Sequence, residues 1–190
     1  MADDKPRPLR PTLEMLLMAA LIAAGSWISL PLWPVPLTLQ TYVVLLAGFL
    51  LGSSRGALAA ALYLVAGLCG LPVFAGGSSG LAKLTGPTGG FLLSFPLAAL
   101  VAGVAARHHP LPFSWRQGLL WGALASAVPF LFGLPWLKLA LGLSWAEASA
   151  TALLPFLPGA AVKLVLSVAT YRLMQSKPEA TRTRPPSAFL

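Results

Sequence analysis

Six apolar stretches follow one another along this chain, and they limit its possible folds more than any other feature. They cover approximately residues 13–30, 37–52, 56–70, 89–106, 118–141 and 148–174. A helix needs roughly 20 apolar residues to cross the hydrocarbon core of a bilayer, so each stretch is a candidate span. Apolar residues fill 57% of the 190 positions and charged residues only 9%, against about 25% charged in a soluble domain. Mean hydropathy is +0.79. Too little charge remains to cover a water-facing surface, and the expectation is an all-α membrane protein with six transmembrane helices. Spans two and three are short, and only Gly52-Ser53-Ser54-Arg55-Gly56 separates them, which predicts a tight helical hairpin.

The net charge of +8 does not point to nucleic acid, because the basic residues sit at the ends of apolar stretches. With the N-terminus inside, the inner segments hold Lys5, Arg7, Arg10, Arg55, Arg107, Arg116, Arg172, Lys177, Arg182 and Arg184, ten of the thirteen; Lys83, Lys138 and Lys163 remain. The positive-inside rule then places both termini in the cytoplasm. The chain divides into a cytoplasmic segment 1–12, a transmembrane domain 13–174 and a polar, proline-containing tail 175–190 that reads as disordered. Lone Cys69 allows neither an internal disulfide nor a cysteine metal cluster. The first apolar run is long enough to span and lacks a convincing cleavage site, so no cleavable signal peptide is expected.

Irregular backbone is concentrated in residues 70–91, rich in glycine and carrying Pro72, Pro87 and Lys83. At membrane depth such backbone is tolerated only where protein buries it or it lines a cavity. The topology puts this segment on the external side, with residues 31–38 and 143–158, over one bundle. Glycines 76, 77, 80, 86, 89 and 90 permit positive φ, and successive amide N–H groups exposed there can hold an anionic or carbonyl oxygen. Neither the P-loop pattern nor a strand-led GxGxxG occurs, so nucleotide binding is not expected.

Lys163 lies about 14 Å from Arg172 at 1.5 Å per residue, close to mid-bilayer. An ammonium there is costly unless it faces a cavity or a partner, which makes it a candidate counter-charge for an anionic ligand. A structural lysine bound to backbone carbonyls is the alternative. Lys83 can meet a ligand carboxylate or stay solvated, whereas Lys138 reads as an interfacial anchor. Trp33 and Trp145 suit an aromatic belt; Gln40 and Trp136 suit a pocket. Ala19, Ala20, Ala23 and Ala24 make two overlapping small-xxx-small patterns, a flat stripe for a neighbouring helix. No serine–histidine–acid set and no paired acids at membrane depth occur, so an enzyme is not expected. His108 and His109 fall in a cytoplasmic loop without carboxylates.

Several motifs in order resemble the signature of the BioY family, biotin-binding S components of energy-coupling factor (ECF) vitamin transporters. They are Pro36-Leu37-Thr38-Leu39-Gln40-Thr41, the run from Tyr63 to Gly77, and Gly86-Pro87-Thr88-Gly89-Gly90-Phe91. Gly133-Leu134-Pro135-Trp136 and Pro155-Phe156-Leu157-Pro158-Gly159 with Lys163 complete the set. The resemblance implies a six-helix S-component bundle in the bacterial inner membrane, with the vitamin site near the external face. It implies biotin as transported ligand and no other cofactor, and partnership with a transmembrane coupling subunit and two ATPases. It implies a substrate site built from Lys163, Lys83, Gln40, Thr88 and Trp136, with Phe74, Gly76, Gly77, Gly86 and Gly89 from the loop. It also implies that the stripe of Ala19, Ala20, Ala23 and Ala24 packs on the coupling subunit.

One position departs from the family pattern: Ala160 stands where an Asp is usual. Altered recognition of the ureido end is expected, or a substitute polar group such as Glu147 or Gln40. Other readings are a solitary biotin carrier without ATPases and a membrane enzyme or assembly factor that holds a lipid headgroup in the glycine loop.

Overall fold

The computed structural model describes residues 9–107 and 114–175. The His108–His109 connection, the first eight residues and the tail from Ser176 lie outside the described residues. The first helix, α1, runs Leu9–Trp27. Pro31, Pro34 and Pro36 then exclude helix by removing amide donors. The connection is instead closed by two-residue strands, β1 (Ser29–Leu30) and β2 (Leu37–Thr38), paired antiparallel as Ser29 with Thr38 and Leu30 with Leu37.

Spans two and three are the two arms of one element, α2, Gln40–Leu68. The expected turn of several residues shrinks to one non-helical residue, Gly52, at φ 78° and ψ 175°. That left-handed φ is open to glycine and strained for a side-chain-bearing residue. The chain folds back there: a Cβ on Gly56 would lie 2.8 Å from the Ala47 carbonyl oxygen, and Gln40 at one end meets Tyr63 near the other. The arms measure about 18 and 24 Å at 1.5 Å per residue.

Span four also divides, into α4 (Gly89–Leu93) and α5 (Phe95–Arg107), after the short α3 (Leu81–Thr85). Helix α5 packs directly on the hairpin: a Cβ on Gly48 would come within 2.4 Å of the Ala99 carbonyl, and one on Gly103 within 2.2 Å of the Ser53 amide. Backbone contact this close is how small residues bring membrane helices together. Helix α6 spans Trp115–Leu141 with Pro129 and Pro135 inside it. Helix α7 (Trp145–Ala152) starts with a full capping box of Ser144 and Glu147, and α8 runs Leu157–Gln175. Among the described residues α6 and α8 are long and apolar enough to cross a membrane by length and composition, and α2 reaches such a length only as its two arms together.

Candidate functional site

The helices leave an open cavity of about 790 Å³, counting the part open to solvent. Its wall is assembled from single faces of several helices. Thr41 and Leu45 come from the first turns of α2, Ser126, Pro129 and Phe130 from α6, and Ala160 and Lys163 from α8. Each set has the i, i+3 or i+4 spacing that puts residues on one helical face. Leu92 and Phe95 contribute from the α4–α5 junction. Val35, Pro36, Ala75 and Lys83 add loop and α3 residues.

The lining is mostly apolar, with two ammonium groups and the polar side chains of Thr38, Gln40, Thr41, Thr88 and Ser126. Lys163 Nζ donates to the Thr38 carbonyl oxygen at 3.0 Å. Ser167 Oγ bonds the Lys163 and Tyr42 carbonyls at 2.6 and 3.3 Å, and the Tyr42 hydroxyl meets Thr170 Oγ1 at 2.9 Å. This seam holds α8 against the start of α2 and fixes where Lys163 stands. Gln40 is locked as well: its Nε2 donates to the Tyr63 hydroxyl at 2.5 Å and its Oε1 accepts from Thr38 Oγ1 at 3.2 Å.

Among the described residues no carboxylate lines the cavity. Glu14 pairs with Arg55 at 3.5 Å. Glu147, the expected substitute acid, is fully exposed and accepts the Ser144 amide in the α7 capping box, which lowers its pKa below the ordinary carboxylate range. It is not a site residue. Of the two expected substitutes only Gln40 reaches the wall, which Ala160 also lines.

The structure therefore brings four expected site residues together at the cavity: Gln40, Lys83, Thr88 and Lys163. The remaining six serve the loop around it. Phe74 is fully buried, edge-on to Tyr63 with ring centroids 5.5 Å apart. It fills the place a side chain on Gly67 would take, 2.0 Å from that Cβ position. The Ser26 hydroxyl at 2.6 Å and the Trp27 indole at 3.1 Å tie the Val73 and Pro72 carbonyls to the end of α1. This anchor presents Ala75 to the cavity. Trp136 Nε1 donates to the Gly86 carbonyl at 2.9 Å, clasping the loop to α6.

Four of the loop's glycine amides are spent on backbone carbonyls of the loop and of α2. Those of Gly77, Gly80, Gly86 and Gly89 donate to the carbonyls of Phe74, Gly67, Ala82 and Gly86, so these four form no free anion cradle. Gly76 has the positive φ expected of it, 71°, but it is outside the lining. Gly89 is required for packing: a Cβ there would fall 1.7 Å from the Leu84 carbonyl.

Sequence reasoning missed Thr41, Ser126, Phe95 and Phe130. The signal was present as helical spacing, Thr41 to Leu45 and Ser126 to Phe130, but apolar lining at such spacing is indistinguishable from core until the helices are assembled. The alanine stripe also divides. Ala20 and Ala24 face outward with Leu13, Leu16, Leu17 and Leu21, whereas Ala19 and Ala23 are half-buried against the core.

The model of the BioY family matches residues 3–179. A Pyrococcus horikoshii protein named probable biotin transporter BioY is 39% identical over 152 residues, covering 80% of this chain and 88% of its own. The biotin transporter BioY of Rhodobacter capsulatus is 38% identical over 186 residues, covering 91% and 97%. A crystal structure of the S-component for biotin from an ECF-type ABC transporter superposes with a TM-score of 0.78 over 92% of this chain and 94% of that one. At 24% identity that likeness shows the fold.

Proposed function

This chain belongs to the BioY family, and we propose that it captures biotin from outside the cell as the substrate-binding membrane subunit of an ECF-type transporter. The observation that carries the reading is a mostly apolar cavity with two lysines and, among the described residues, no carboxylate. An ammonium held at the cavity by one backbone carbonyl, with no carboxylate beside it among the described residues, is suited to meet an anion, and the walls ask for an apolar body on that anion. Biotin fits both demands. Its carboxylate meets Lys163 and Lys83, its bicyclic ring lies against Phe91, Phe95 and Phe130, and Thr88 offers a hydroxyl to its ureido group. The relatives named biotin transporters support this choice of ligand.

The chain crosses the bacterial inner membrane six times in this reading, the two arms of α2 counting separately, with both termini in the cytoplasm. The basic residues around Arg10, Arg55, Arg116 and Arg172 support that orientation. The outward row of Ala20 and Ala24 on α1 receives the transmembrane coupling subunit, and the ATPases join through it. Equilibrium binding of labelled biotin to the detergent-purified protein is the decisive assay. Saturable binding at micromolar or lower concentration is expected, and its absence overturns the reading. Recovery of ATPase subunits with the tagged protein tests the assembly.

A further inference from the structure

Two buried side-chain oxygens among the described residues have no hydrogen-bond partner, Thr41 Oγ1 and Ser53 Oγ. Ser53 sits at the α2 reversal beside Gly103, away from the cavity lining. Thr41 lines the cavity. A helical threonine ordinarily returns its hydroxyl to a carbonyl three or four residues back. For Thr41 those carbonyls belong to Thr38 and Leu37, the two residues of β2, where the chain is still extended. The Thr38 carbonyl is moreover taken by Lys163 Nζ at 3.0 Å. A buried hydroxyl without a partner is costly and uncommon enough in native proteins to need an explanation.

The neighbourhood supplies one. Lys163 is held at the carbonyl of Thr38, three positions before Thr41, and both residues line the same cavity. The other nearby polar side chains are engaged, since Thr38 Oγ1 and Gln40 bond one another and Gln40 bonds Tyr63. Thr41 is left with a buried O–H that has no partner, in a lining that also holds the Lys163 ammonium and, among the described residues, no carboxylate. A hydroxyl can donate one hydrogen bond, and a carboxylate has two oxygens to receive bonds from two donors.

We propose that Thr41 and Lys163 form a two-point clamp on the ligand carboxylate, the ammonium binding one oxygen and the Thr41 hydroxyl donating to the other. Thr41 is thereby a specificity-determining residue that selects a free acid over its neutral derivatives. The inference rests on the biotin reading above.

The test compares biotin with its methyl ester on the purified full-length protein and on Thr41→Val and Thr41→Ser. Thr41→Val replaces the hydroxyl with a methyl of similar size, so the empty variant keeps a thermal midpoint at or above that of the parent. Loss of one charge-assisted hydrogen bond weakens biotin by about tenfold, whereas the ester shifts less than about twofold and Thr41→Ser retains near-parental affinity. Biotin binding to Thr41→Val within about twofold of the parent overturns the clamp, as does equal weakening of acid and ester. Failure of the parent to bind biotin overturns the functional reading itself.

Discussion

Replacing Lys163 with methionine tests the electrostatic logic of the site most directly. The methionine keeps an unbranched side chain of similar length and removes the charge. In the empty protein the ammonium makes one hydrogen bond, to the Thr38 carbonyl, so the variant leaves that oxygen without its donor and otherwise preserves the seam of Ser167, Tyr42 and Thr170. A hydrogen bond from an ionised donor contributes about 1.5–3 kcal/mol. At about 1.4 kcal/mol per decade of affinity, the ligand carboxylate should bind about 10- to 150-fold more weakly. Lys83, the other ammonium in the lining, keeps the loss near the lower end. Isothermal titration of the purified protein with biotin and with biotin methyl ester reads this directly. Biotin should lose at least an order of magnitude and the ester much less, so that the parent's preference for the acid collapses. If acid and ester weaken together, Lys163 holds the wall in place and does not meet the ligand.

Further outcomes follow from packing and capping. Gly67→Ala sets a methyl against the Phe74 ring, and overpacking of this kind costs about 1–3 kcal/mol; thermal unfolding with and without biotin should show a lowered midpoint and weaker binding, and an unchanged midpoint would contradict the anchoring role of Phe74. Tyr63→Phe removes the oxygen that receives Gln40 Nε2, leaving a buried amide unpaired at about 1–3 kcal/mol; stability equal to the parent would show that the pair does not brace the α2 hairpin. The Ser144–Glu147 box is acid-labile. Because the Glu147 carboxyl titrates below its ordinary value, its contribution is present above about pH 4.3 and is lost as pH falls through the lowered folded value. Hydrogen-exchange protection of α7 should therefore fall in acid and become insensitive to pH over that range in Glu147→Gln; constant protection in the unaltered protein would refute this.

The bundle was legible in the sequence because its causes are local. Proline clusters stop helices, glycine pairs permit reversals, and long apolar runs have one solvent open to them. The structure differs where a boundary depends on contact: the second connection tightens to Gly52 because Gly56 lets the arms touch, and span four breaks at Ser94 between α4 and α5. Lys163 and Gln40 could be singled out because a polar side chain inside an apolar run needs a reason. Phe95 and Phe130 could not, since a phenylalanine facing a cavity and one facing a core have the same spacing.

The glycine-rich segment shows why composition identifies irregular backbone without assigning its purpose. Its glycines suggest amides exposed to a ligand, yet four of those amides close onto the loop's own carbonyls or back to Gly67, and Gly89 is glycine because Leu84 leaves no room for a side chain. The segment acts on the site at one remove. It seats Phe74 beneath itself, is tied to α1 through Ser26 and Trp27 and clasped to α6 by Trp136, and so carries Ala75 and Lys83 to the cavity. The polar groups in the lining then come from separate elements, among them Lys83 on α3, Thr88 at the start of α4, Thr41 on α2 and Lys163 on α8. A site assembled this way depends on the packing of its helices. Substitutions at Gly67 or Tyr63, outside the lining, should therefore alter biotin affinity as well as stability, whereas changes at exposed Trp33 should alter neither.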